Sequence, residues 1–269
     1  MPGPTMGARQ RAVRYWVTRV VVAVLTRAWL AIRLEGGERL PKGPAIYAFN
    51  HLSWADPFVL GAVLPMRPRL SFFGPREEDM GRGARNRLMT WSGTTIPYKP
   101  GKNDLLDTTR RVGAVIASGS VVAIAAEGRI GPVEGALLPL QEGAAYFALR
   151  SRVPLVPVAI SGTSWLPFRG RVRVRVGEPI ATADVRADRA GLAATTEALA
   201  RALRTMIADV PEASPPGRIG RWMSDVFNDW PEGSRDAALA AWRSSGSATP
   251  DGASGEHESQ AGAAAGEGA

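Results

Sequence analysis

Ala45-Ile46-Tyr47-Ala48-Phe49-Asn50-His51-Leu52-Ser53-Trp54-Ala55-Asp56-Pro57 passes within one short run from a continuous apolar segment, through a polar turn, to a helix start. Ala45–Phe49 reads as a strand that ends at Asn50-His51. Asp56-Pro57 reads as the opening of a helix: proline favours the first helical position and aspartate is a strong N-cap. His51 then lies in the turn between strand and helix. The same alternation continues along the chain. Strands are expected at Ala45–Phe49, Arg69–Phe73, Thr94–Tyr98, Val121–Ala125, Leu155–Ile160 and Val172–Val176, and helices at Pro57–Leu64, Ala84–Trp91, Leu105–Ser118, Ala144–Arg150 and Arg189–Ala208. This order predicts an α/β domain around a largely buried sheet. The sequence contains no internal repeat.

Arg171-Val172-Arg173-Val174-Arg175-Val176 alternates strictly, placing three valines on one face and three arginines on the other. It reads as an edge strand whose charges block further pairing, or as one whose arginines face lipid headgroups. Residues 211–243 contain Pro211, Pro215 and Pro216, then Trp222, Phe227 and Trp230, and suggest a peripheral helical extension.

The 269 residues suffice for one large domain with a tail. From Ser244 to Ala269 the sequence is Gly, Ala, Ser and acid with no Lys or Arg, a composition that predicts disorder. Without the tail's Asp251, Glu256, Glu258 and Glu267 the formal net charge rises from +8 to +12 for residues 1–243. So basic a body attracts phosphate, whether on nucleic acid, an anionic membrane or a small substrate. The absence of cysteine excludes disulfides, thiolate nucleophiles and cysteine-ligated zinc.

Val13 to Leu34 is apolar and aromatic but is interrupted by Arg14, Arg19, Arg27 and Arg33. Its uncharged runs fall well short of the roughly 20 apolar residues a spanning helix needs. On a helical wheel Thr18, Arg19, Thr26, Arg27 and Arg33 gather on one side, with Trp16, Val20, Val21 and Val24 largely opposite. Two readings fit: a helix in the membrane interface with guanidinium groups near lipid phosphates, or an ordinary amphipathic helix packed on the domain.

His51 is the only histidine before the tail, where His257 lies. Imidazole is the usual side chain that takes a proton near neutral pH. On one continuous helix His51 and Asp56 would be separated by about 140°, but a turn that folds back brings them together. Asp56 would then fix the ring tautomer and leave the other nitrogen as base; alternatively it merely caps the helix. Glu127-Gly128-Arg129, at the end of the apolar run from Val121, suits either a phosphate-binding turn or an ordinary charged one. Gly93–Lys99 is a strand-like run ending in a cation. Val153–Ile160 is an apolar strand interrupted by Pro157, which implies an edge, a bulge or close approach to a substrate.

In this order and spacing the four segments resemble the glycerolipid acyltransferase family, most of all the bacterial 1-acyl-glycerol-3-phosphate acyltransferases. Asn50-His51 with Asp56 matches the family's N-H-x4-D block, and Glu127-Gly128 matches the core of F-P-E-G-T-R. Gly93–Lys99 resembles the block that supplies a cation to the acceptor phosphate, and Val153–Ile160 the last, proline-containing block. Ala125-Ala126 stands where Phe-Pro is usual, Arg129 follows Gly128 directly, and Lys99 stands where arginine is common, keeping the charge without the planar fork.

The resemblance implies a single domain over residues 35–210 with a mixed central sheet flanked by helices, preceded by an N-terminal interfacial helix region at 1–34. It implies acyl transfer from acyl-CoA or acyl carrier protein to a lysophospholipid hydroxyl, without cofactor or metal. His51 and Asp56 would be the catalytic pair, with Lys99, Glu127, Gly128 and Arg129 lining the acceptor site. It further implies a peripheral or monotopic protein on an anionic lipid surface at the cytoplasmic face. Alternatives are the same chemistry on glycerol 3-phosphate or another lysolipid, and a non-catalytic membrane-binding protein. Nucleic-acid binding is disfavoured, since no recognition motif accompanies the charge.

Overall fold

A computed structural model describes residues 8–76, 91–98, 104–211, 217–228, 230 and 233–244. Seven strands form one sheet: β1 (Ala31–Glu35), β2 (Ile46–Phe49), β3 (Leu70–Arg76), β4 (Thr95–Tyr98), β5 (Val121–Ala125), β6 (Leu155–Ser161) and β7 (Arg171–Val176), in the spatial order β1-β7-β6-β2-β5-β3-β4. From β6 to β4 all neighbours are parallel; β7 runs antiparallel to β6, and β1 is parallel to β7. The sheet is therefore mixed, as expected.

Helices cover both faces. On one lie α1 (Ala8–Trp29) and α2 (Asp56–Val63); Val59, Leu60 and Val63 of α2 join Tyr47, Phe49, Val156, Val158 and the valines of β7. On the other lie α3 (Asp104–Ala117), α4 (Gly143–Ser151) and α5 (Arg189–Ile207), whose Val112, Ile116, Phe147, Leu199 and Leu203 meet Ile46, Ala48, Val122 and Ile124. Central strands covered on both sides have no polar face, which explains their unbroken apolar runs. Helices α6 (Gly217–Phe227) and α7 (Arg235–Ser244) follow. The expected Ala84–Trp91 helix lies outside the described residues except for Trp91, and so does the tail beyond Ser244.

Two expectations need correction. Residues 31–35, assigned to the N-terminal helix region through Leu34, form the edge strand β1, paired with β7 from Ala31↔Arg171 to Glu35↔Arg175. β7 is accordingly not an edge strand. Two of its three arginines are drawn to carboxylates: Arg175 pairs with Glu35 and Asp209, and Arg173 lies near both, which lowers the Asp209 carboxyl to about 2. Of the three settings expected for Pro157, the edge is excluded, since β6 lies between β2 and β7. Leu155 bonds Ile180 in both directions and the Pro157 carbonyl accepts from the Gly177 N–H, so the missing donor falls where the chain leaves β7 and the ladder is already broken.

On the N-terminal helix the arginine side faces the protein and the apolar side faces outward. Arg19 is buried and donates to the Gly61, Leu64 and Pro65 carbonyls and to the Tyr15 hydroxyl, while Arg27 donates to the Ala62 carbonyl. These guanidinium groups serve the C-terminal end of α2 instead of lipid phosphates. Val13, Val17, Val20, Val21, Val24 and Leu25 point outward. Trp29 is also exposed and meets Phe168 edge-on at 5.2 Å. Among the described residues no helix is long and apolar enough to cross a membrane.

Candidate active site

The C-terminal ends of β6, β2 and β5 lie side by side, where open α/β sheets gather their ligands. β2 ends at Asn50, whose amide imitates one more strand residue: Nδ2 donates to the Ile160 carbonyl at 2.9 Å and Oδ1 accepts from the Ile160 N–H at 2.7 Å. The backbone of the next residue, His51, is held from the β5 side. Its N–H donates to Glu127 Oε1 at 2.8 Å, and its carbonyl accepts from the Gly131 N–H at 2.6 Å.

With its backbone fixed, the His51 ring turns toward the start of α2. Nδ1 lies 2.8 Å from Asp56 Oδ2. The same oxygen accepts from the Leu52 N–H at 2.7 Å and the Ser53 N–H at 3.0 Å, and Oδ1 accepts from the Thr163 hydroxyl at 2.6 Å. Asp56 is the first residue of α2, with Ala55 as N-cap, so its carboxylate looks back into the loop rather than capping the helix as expected. Its side chain is fully buried and every partner is a donor. A carboxylate only accepts, so Nδ1 is the donor to it, and in the neutral ring that tautomer leaves the lone pair on Nε2. The imidazole, 15% exposed, is the part of the pair that outside molecules can reach.

Thr163 follows β6 on the loop Gly162–Ser164. Gly162 has φ +87°, and a side chain there would run into the Arg171 carbonyl. The buried carboxylate of Glu134 straightens this loop, accepting from the Gly162 and Ser164 N–H groups at 3.1 Å.

Glu127, expected among the residues lining the acceptor site, is bonded to backbone on both oxygens. Oε1 accepts from the His51 N–H, Oε2 accepts from the Leu138 N–H at 2.8 Å, and the residue is buried. Burial raises its carboxyl to about 7, and burial raises that of Glu134 as well. Gly128, left-handed at φ +70°, and Arg129 are exposed on the turn that follows. Lys99 lies outside the described residues. The structure thus unites His51, Asp56 and Glu127 and places Gly128 and Arg129 beside them in sequence. Sequence reasoning overlooked Asn50's amide, Thr163 and Glu134; Thr163 was within reach, since Ser161-Gly162-Thr163 leaves a strand whose end belongs beside His51. Among the described residues no group of three or more His, Asp or Glu side chains is arranged to hold a metal.

The fold is similar to the crystal structure of the 1-acyl-sn-glycerophosphate acyltransferase of Thermotoga maritima, with a TM-score of 0.58 and 19% identity over 77% of this chain and 84% of that one. In sequence the chain is similar to the 1-acyl-sn-glycerol-3-phosphate acyltransferase of Saccharomyces cerevisiae, 29% identical over 171 residues, or 60% of this chain. It spans 55% of the length of that curated relative. The family described as Acyltransferase matches residues 31–161, which run from β1 to the end of β6 and include Asn50, His51, Asp56 and Glu127. That match takes in just under half of the chain, and it is over this span that the chain is similar to the family.

Proposed function

We propose that the protein transfers a fatty acyl group from the thioester of acyl-CoA or acyl carrier protein to the free hydroxyl of 1-acyl-glycerol 3-phosphate, giving phosphatidic acid. The observation that carries this reading is the His51–Asp56 pair within the span similar to the acyltransferase family: a ring oriented through Nδ1 by a fully engaged carboxylate, with Nε2 left as base. The acceptor hydroxyl gives its proton to Nε2 as its oxygen bonds to the thioester carbonyl carbon. The C–S bond then breaks, and the leaving thiolate takes the proton back from the imidazolium. No acyl-enzyme forms, which suits a chain without cysteine.

Glu127 holds the backbone of His51, and Gly128, Arg129 and Lys99 line the acceptor side, where the two cations meet the phosphate. The acceptor is a membrane lipid. The protein docks peripherally on the cytoplasmic face, with the outward valines of α1 in the acyl region and the basic body drawn to anionic headgroups.

The test is turnover by the purified protein with one acyl-CoA and a panel of lysophosphatidate, glycerol 3-phosphate and a zwitterionic lysophospholipid. Lysophosphatidate is expected to be the best acceptor, and His51→Ala to lower its acylation by roughly 10²–10⁴-fold with folding intact. Indifference to lysophosphatidate rejects the acceptor; wild-type turnover by the alanine variant removes His51 from the reaction.

A further inference from the structure

Asp56 is gripped from two loops, 51–55 and 162–164, and the C-terminal extension touches both. Asn228, just past α6, is fully buried. Its Oδ1 accepts from the Trp54 N–H at 2.8 Å and from the Ser53 hydroxyl at 3.1 Å. That hydroxyl oxygen accepts in turn from the Ala55 N–H at 3.1 Å, while the Ser53 N–H reaches Asp56. One turn earlier on α6, buried Ser224 donates to the Ser164 carbonyl at 3.3 Å. Arg235 of α7 lies 4.1 Å from the Trp165 ring. None of these extension residues falls within the family match at 31–161.

We infer that Asn228 is a positioning residue of the active site: by accepting from Trp54 and Ser53 it fixes the peptide groups that aim two N–H donors at Asp56 and so sets the His51 ring. Burying a polar amide so far along the chain is costly unless its bonds are made. Both bonds recorded for its oxygen go to the loop between His51 and Asp56. A group held this way acts on the chemical step more than on substrate binding, because its bonds go to the loop that orients Asp56. The extension is then part of the catalytic apparatus although the family region ends before it.

This rests on the acyl-transfer reading. The test compares the full-length protein with Asn228→Ala and with Asn228→Asp, which keeps an acceptor oxygen. Thermal unfolding, kcat and KM for lysophosphatidate, and the Nδ1–H proton resonance of His51 are measured, the last in a His257→Ala background so that one histidine remains. The alanine variant is expected to lose at least tenfold in kcat, with KM within twofold and a shifted or lost resonance. The aspartate variant is expected to stay within threefold of wild type and keep the resonance. A folded alanine variant with wild-type kcat overturns the inference, as does an aspartate variant that loses as much as alanine. If alanine does not fold, the aspartate variant decides: wild-type turnover and resonance support the inference, whereas inactivity or unfolding overturns it. Should the wild type not transfer acyl groups at all, the acyl-transfer reading fails, and the resonance still tests the positioning role.

Discussion

At its N-terminal end α2 begins with Asp56, whose oxygens collect two backbone N–H groups, a hydroxyl and the ring of His51. At the other end its last carbonyls are collected by Arg19 and Arg27 from α1. Asp56 and Arg19 are buried charges with their bonds made, and each sign agrees with the helix dipole, negative at the N-terminus and positive at the C-terminus. They differ in what is left over. The carboxylate end passes its charge to a ring with a free nitrogen, so it can do chemistry; the guanidinium groups hand theirs to carbonyls and serve as an anchor. One short helix thus ties the proposed catalytic pair to the element with the outward apolar face.

The sharpest way to break that comparison is at the anchor. Arg19→Met would leave the Gly61, Leu64 and Pro65 carbonyls without a donor in a buried place, at about 1–3 kcal/mol each. The expected loss is about 4 kcal/mol, or about 8–16 °C in the unfolding midpoint of a domain this size. Below the new midpoint, turnover in detergent should stay within about threefold of wild type, since His51 and Asp56 keep their partners. A fall as deep as that of His51→Ala would mean that the ends of α2 are coupled and the anchor is part of the site.

How much of this the sequence discloses depends on how local the physics is. β2, β5 and β6 are legible because burial on both faces leaves continuous apolar runs. β1 is not, because Ala31-Ile32-Arg33-Leu34-Glu35 is an exposed edge mixed with charge, and it follows α1 with no breaker to announce the change. The wheel separated the arginines of α1 from its valines correctly. It could not tell which side faces the protein, because a guanidinium among helix-end carbonyls is as well satisfied as one in water. At the site, His51 and Asp56 are five positions apart and their pairing was expected. Glu127 is close to His51 only through β2–β5 pairing, which is why its carboxylate looked available. Asn228 meets Trp54 across 174 residues, and no spacing rule reaches that far.

Glu127 sharpens the acidic end. Asp56 has four donors for its two oxygens, whereas Glu127 has two, and burial raises its carboxyl to about 7 from an ordinary 4.5. The folded protein therefore holds a proton that the unfolded chain has released. The stabilisation is whole below about pH 4.5 and is lost as pH rises through about 7. Integrated over that window the loss is on the order of 3 kcal/mol. Glu127→Gln, which resembles the protonated side chain but does not titrate, isolates it from Glu134, whose shift has the same sign. Between pH 4.5 and 8 the stability difference should move toward the glutamine variant by that amount; a constant difference in chemical denaturation would show that Glu127 does not titrate in this window.

The smallest effect probes the outward side of the anchor. Val24 is 61% exposed in line with Val13, Val17 and Val20, while Arg19 and Arg27 of the same helix are bonded inward. If this face enters lipid, Val24→Ser removes apolar area that only the membrane buries. That costs about 1 kcal/mol of binding, or roughly fivefold in partition onto anionic vesicles, and leaves the unfolding midpoint in detergent unchanged. Arg19→Met should do the reverse, lowering the midpoint while sparing partition wherever α1 stays docked. Both readouts moving together in either variant would mean that the inward and outward faces of α1 are not independent. Partition unmoved by Val24→Ser would place the lipid contact elsewhere and leave the valine stripe without a partner.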